Sequence, residues 1–261
     1  MPHVSFCFLV TKDLNKEHIW RSWLNNIDIS YSVYVHCSNP NNITSPWLRS
    51  FIIPQNKIAP TSWGKLGQAI YNLFEEACTT SNADWYTINS ESCVPIIPAA
   101  KFSELCKKNA DKSILPYCNA WWNINTNNRG NLSKFSKEYH LGHSGWYILT
   151  CADVKDIIKC KEIDPDFFYN ALINTDGGLT DESGIAIILK KMNNLINTIQ
   201  AETTIVDWGR TNGNSPYTFV IGSDENRKFI DNAKKQYTCF LRKVSPIFPD
   251  DIIFKHLQEV E

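Results

Sequence analysis

The sequence has no GxGxxG after its first apolar run, no GxxxxGK[ST], no GxSxG and no paired CxxC. Each absence removes a class of chemistry. Without the first two there is no glycine cradle for a dinucleotide pyrophosphate or for P-loop phosphoryl transfer. Without the third there is no nucleophile elbow of a serine or cysteine hydrolase. Without the fourth, the nine cysteines carry no metal or disulfide framework spacing. An excess of one charge is missing too. Lys and Arg number 26 against 27 Asp and Glu, a formal net charge of -1. Nothing therefore draws the chain globally to nucleic acid or to an anionic membrane, and any phosphate must be held by a local site. No apolar run reaches the length needed to span a bilayer. No repeat, low-complexity tract or long linker interrupts the chain.

What is there is enough for a core. Of 261 residues, 43% are hydrophobic and 20% charged, which fits one large α/β domain or two small ones. Seven of the cysteines (Cys7, Cys37, Cys78, Cys93, Cys118, Cys151 and Cys239) sit inside apolar runs. The odd count reads as buried free thiols in a reducing compartment, the alternative being disulfides in a secreted chain. Residues 1–10 are apolar, but Lys12 and Asp13 follow at once, so a core strand is expected there rather than a signal peptide or anchor. The expected location is cytoplasmic.

Strands and helices alternate. Val4–Val10, Ser32–His36 and Trp85–Asn89 read as strands, and residues 15–25, 64–78, 101–109 and 151–160 as helices. Tyr147–Cys151 is apolar, and residues 119–143 read as a long surface loop. Glu182–Ile196 has the clearest helical period. Thr180 or Asp181 can cap it, and Ile185, Ile188, Leu189, Met192 and Ile196 form its inward stripe. Thr203–Val206, Thr218–Ile221 and Cys239–Leu241 read as short strands and Asp250–Gln258 as a final helix. The alternation predicts a Rossmann-like open sheet with the ligand beyond the carboxyl ends of its strands, next to His36–Ser38 and Ser90–Cys93.

Seven short strings carry a resemblance. They are Tyr34-Val35-His36-Cys37-Ser38, Thr61-Ser62-Trp63-Gly64, Asp84 to Ile96 (with Ser90-Glu91-Ser92-Cys93 at its centre), His143 to Leu149, Thr180-Asp181-Glu182, Val206-Asp207-Trp208 and Phe240-Leu241-Arg242-Lys243. In this order they resemble motifs of the core-2/I-branching glycosyltransferase family and its plant and viral relatives. The resemblance runs from about residue 4 to 243. It implies a single GT-A-like domain over 1–261, a mixed sheet flanked by helices. Residues 1–118 would form the nucleotide-sugar half and 119–261 the acceptor and catalytic half. It further implies an inverting, metal-independent transfer from a UDP-sugar, carrying N-acetylglucosamine or xylose, to a glycan hydroxyl. No cofactor is then expected beyond the donor as co-substrate.

Residue by residue, the resemblance makes Glu182 the base that deprotonates the acceptor hydroxyl. It makes Lys243, with Arg242, the pair that neutralises the departing diphosphate. The family's second basic position falls at Ser215-Pro216, so Arg210 is the substitute. His36, Ser38, Ser62 and Trp63 fall on the donor side. Trp208, Glu91, Asp181 and Trp146 fall on the acceptor side. Plainer readings stand beside these. Asp181 and Glu182 also suit a helix start, Arg242-Lys243 a surface strand end, and Trp208 or Trp121-Trp122 simple packing. Ser90-Glu91-Ser92 supplies one carboxylate where a metal-binding DxD would supply two, and no metal site is expected. Two other functions compete: an inactive nucleotide-sugar or glycan-binding module of the same fold, and a hydrolase in which Glu182 activates water.

Overall fold

Strand β1 (His3–Val10) divides its side chains between two cores, and the rest of the molecule is arranged around that division. Val4, Phe6, Phe8 and Val10 point to one face; Cys7 and Leu9 point to the other, the period of two of an extended chain. The computed structural model describes residues 2–125, 131–174, 176, 178–211, 213 and 215–258. It is a mixed α/β fold. Part of the 119–143 segment, residues 126–130, lies outside the described residues.

Along the chain, β1 leads to α1 (Glu17–Asn25), β2 (Ser30–Cys37), the short α2 (Pro46–Arg49), α3 (Gly67–Thr80) and β3 (Trp85–Ser90). Then come β4 (Val94–Pro95), α4 (Ala99–Lys108), β5 (Tyr117–Asn119), β6 (Leu141–His143) and β7 (Ile148–Thr150). After α5 (Cys151–Ile163), α6 (Pro165–Phe168) and a π-helical turn at Tyr169–Ile173, a 3-10 turn at Thr180–Glu182 precedes α7 (Gly184–Lys191). The chain ends through β8 (Thr204–Val206), α8 (Asp224–Ala233), β9 (Phe240–Arg242) and α9 (Asp250–Gln258).

The main sheet has the order β2-β1-β3-β7, parallel except for β7. Helices cover both faces. On one, Trp20 and Trp23 of α1 and Phe102 of α4 meet Phe6, Phe8 and Phe240. The indole N–H groups of Trp20 and Trp23 donate to the carbonyls of Cys93 and Ile97, both at 2.8 Å, so α1 is fixed in orientation as well as buried. On the other face lie α3, α5 and α7, contributing Leu73, Phe74, Ile157 and the run Ile185–Leu189. A second sheet, β4-β9-β8, has β9 at its centre, with Val206 of β8 in register with Arg242. A third core packs against it from α8 and α9.

The departures from expectation have physical reasons. The helix expected over Glu182–Ile196 is shorter. Ser183 breaks from helical geometry between the Thr180–Glu182 turn and α7, and Asn193, at φ 63°, ends the element in the left-handed conformation. Ile196 consequently lies on the surface, 85% exposed, and not on an inward stripe. Thr218–Ile221 is no strand; only Phe219 pairs, in an isolated bridge to Val244. Helices α6 and α8 were not anticipated, although Asp164 with Pro165 and Ser223 with Asn226 are ordinary caps. The 119–143 segment holds the antiparallel β5–β6 pair in addition to loop. All nine cysteines are free thiols, and Cys118 is exposed and not part of a core. Among the described residues no helix is long and apolar enough to cross a membrane.

Gly67 opens α3 where it presses on the π-helical turn, and a Cβ there would stand 1.8 Å from the Leu172 carbonyl oxygen. Gly67→Ala is expected to cost about 3 kcal/mol, the upper end of overpacking. Gly145→Ala, whose Cβ meets nothing within 4 Å, should cost little. Urea unfolding of the two variants measures the difference.

Candidate functional site

Several of the residues singled out from sequence meet in one cleft of about 1150 Å³. Leu9 and Ile88 bring the carboxyl-terminal parts of β1 and β3 to its floor, in keeping with the position of ligand sites in open sheets. The cleft draws on both halves of the chain. Trp63 and Gly64 come from the first; Trp146, Asp181, Glu182, Trp208, Arg242 and Lys243 come from the second.

The acidic turn is built by local hydrogen bonds. Leu179 takes the left-handed conformation at φ 55°, uncommon for a residue with a branched side chain, and starts the Thr180–Glu182 turn. Ser183 Oγ donates to the Leu179 carbonyl at 2.9 Å and accepts from Asn131 Nδ2 at 2.7 Å. Gly64, at φ 69°, approaches the Leu179 amide so closely that a Cβ would stand at 3.1 Å. The Trp63-Gly64 loop is thereby pressed onto the turn that carries the carboxylates. Asp181 is buried, with Oδ1 unpaired. Burial, and then the charge of Glu182 beside it, push its carboxyl up to about 7. Glu182 is only half-buried and lines the cleft.

Arg242 is the last residue of β9, and Lys243 follows it. The Arg242 guanidinium lies 4.4 Å from the centre of the Trp146 ring, and its Nε donates weakly to Ser90 Oγ at 3.4 Å. Lys243 Nζ donates to Ser215 Oγ at 3.3 Å. Neither cation has a carboxylate within ion-pair distance among the described residues. Loss of water pulls the Arg242 guanidinium below its ordinary value, with Cys93, Glu91 and Glu182 opposing. Loss of water, and then the Arg242 charge, do the same to Lys243. Two adjacent cations that disfavour each other form a site that an arriving anion relieves.

Aromatic platforms rim the cleft. Trp63, Trp121 and Trp208 are 59%, 57% and 57% exposed, and all three line it. They are the exposed tryptophans among the described residues. Trp208 rides on a turn fixed by Asp207, whose Oδ1 accepts from the amides of Gly209 and Arg210 at 2.9 and 3.1 Å. Trp121 meets the edge of Trp122 at 5.0 Å and covers Gly142.

The other singled-out residues lie elsewhere. Arg210 does not line the cleft. Its Nε bonds Asp207 at 2.6 Å, its Nη1 bonds Glu225 at 3.2 Å, and the group stacks 4.0 Å over Tyr217. The guanidinium thereby ties α8 to the Trp208 turn, while its buried Nη2 has no hydrogen-bond partner among the described residues. His36 is fully buried, its Nε2 accepting from the Ala59 amide at 2.9 Å, and burial lowers its pKa to about 4. Ser38 and Ser62 are exposed and outside the cleft lining. Glu91 accepts from the Thr11 hydroxyl at 3.0 Å and reaches the cleft only through its charge on Arg242 and Lys243. No group of three His, Cys, Asp or Glu among the described residues is placed to hold a metal ion.

Sequence reasoning passed over one wall of the cleft, formed by Ser144, Gln200, Glu202, Asn232, Lys235 and Thr238. Apart from Ser144, which lies within the His143 to Leu149 string, none of these belongs to a motif. The carboxyl end of α8, a helix not anticipated, and the start of β8 both line the cleft, through Asn232 and Ala233 and through Thr204 and Ile205. No protein-family model matches the chain, and a search of curated proteins finds no match.

The Asp181 carboxyl dictates a pH dependence. Its pKa is higher folded than unfolded, so its ionisation costs stability as pH rises from about 4 to about 7. The buried His36 and His143, each lowered to about 4, act oppositely and cost stability as pH falls below about 6.5. Comparing wild type with Asp181→Asn cancels the histidines. The variant should gain on wild type between pH 5 and pH 8 by about 3 kcal/mol at most, read from urea midpoints. An unchanged difference across that range would contradict the burial argument.

Proposed function

We propose that the protein is an inverting, metal-independent glycosyltransferase of GT-A type. It would move a sugar, N-acetylglucosamine or xylose, from a UDP donor to a glycan hydroxyl, as its resemblance to the core-2/I-branching family implies. The observation that carries this reading is one shared cleft. An acidic turn, a cation pair short of counter-charge and three exposed tryptophans line the same space. A volume of about 1150 Å³ has room for a nucleotide sugar and part of an acceptor.

The chemistry assigns each group a task. Glu182 takes the proton from the acceptor hydroxyl as that oxygen attacks the anomeric carbon. The new glycosidic bond forms on the face opposite the breaking carbon–phosphate oxygen bond, so the configuration inverts. The electron pair leaves with the diphosphate, and Lys243 and Arg242 meet the negative charge that develops there. The faces of Trp63, Trp121 and Trp208 suit the apolar faces of pyranose rings.

Glu182→Gln is expected to lower turnover about 100- to 10,000-fold while leaving the donor dissociation constant unchanged, since the lost interaction belongs to the transition state. Near-normal turnover would remove Glu182 from the role. Lys243→Ala should weaken UDP binding about 10- to 100-fold by calorimetry, the range of a charged hydrogen bond. Unchanged affinity would put the diphosphate elsewhere.

A further inference from the structure

The cleft is lined by a further carboxylate that the proposed reaction leaves without a task. Glu202 lies just before β8 and lines the cleft together with Ser144 and Lys235, whose hydroxyl and charge favour its ionised form. Its side chain is open to the cleft, yet the surrounding walls strip it of bulk water and hold its carboxyl above the ordinary range. Gln200 and Asn232, both exposed, line the cleft as well.

This set of groups selects its ligand chemically. An ionised carboxylate offers about four acceptor positions and no donor. Hydroxyl groups fill them well, because each donates and a vicinal pair spans both oxygens. Lys235, Gln200 and Asn232 supply N–H donors for ring and glycosidic oxygens. An apolar ligand would desolvate the carboxylate with no return, and an anionic one would meet its charge. We propose that Glu202, with Ser144 and Lys235, forms a glycan-binding subsite that holds a neutral pyranose of the acceptor through its hydroxyls. As an acceptor subsite it rests on the transferase reading; as a glycan site it is measurable by itself.

The test is direct binding to immobilised neutral disaccharides (lactose, N-acetyllactosamine, cellobiose and maltose) and to counterparts carrying a glucuronic acid. Wild type, Glu202→Gln and Glu202→Ala are compared, with thermal midpoints to check folding. Wild type should bind at least one neutral glycan and bind its acidic counterpart more weakly. Both Glu202 variants should lose about 10- to 100-fold in affinity, as for a charged hydrogen bond. Binding of no neutral glycan by wild type, or equal binding by folded Glu202 variants, overturns the subsite. The two readings fail separately. Glycan binding that depends on Glu202 without any nucleotide-sugar binding would end the transferase and keep the subsite. Turnover with an unchanged acceptor KM in Glu202→Gln would do the reverse.

Discussion

Two neighbouring cations at the end of one strand organise this molecule. Arg242 and Lys243 stand side by side, short of water and without a paired carboxylate among the described residues. Such a pair is costly unless other elements hold it. Trp146 gives Arg242 an aromatic face, Ser90 at the end of β3 gives it an acceptor, and β9 is itself clamped between β4 and β8. The contacts that keep the cations in place thus also tie the small sheet to the large one. The cleft is the space left on the side where those charges have no partner.

The opposite wall is arranged with comparable local strain. Leu179 is left-handed, and Gly64 presses against its amide from the loop that bears Trp63. Acidic groups follow at once, one buried with its pKa near neutrality and one facing the cleft. Strained backbone and perturbed carboxylates gather at functional sites because packing elsewhere sustains them. Here the supporting structure is visible: α7 is buried along Gly184–Leu189, and Ser183 is bonded in both directions.

Much of the frame was legible in the sequence because its signals are local. The double-sided burial of β1 and the amphipathic α3 follow from residue order. Helix α8 was not legible because it is highly polar, with few apolar residues to announce the face that buries Asn226 and Ile230. The strand expected at Thr218–Ile221 has a suitable pattern, but only Phe219 finds a partner. Of the site, Glu182, Arg242, Lys243, Trp63, Trp146, Trp208 and Asp181 were found through short motifs and do share a cleft. Arg210 was misplaced because Asp207 and Glu225 capture it, a competition that spacing does not reveal. Glu202 was missed because its neighbours come from Ser144 and Lys235, remote in sequence.

The central claim is that the cation pair receives the diphosphate of a nucleotide sugar. Calorimetric titration of UDP-N-acetylglucosamine and UDP-xylose into the protein, in EDTA and then in manganese, tests it most directly. Saturable one-to-one binding of one donor in EDTA, unchanged by manganese and weakened by salt, is the predicted result. Binding of neither donor, or binding only with manganese, would contradict it.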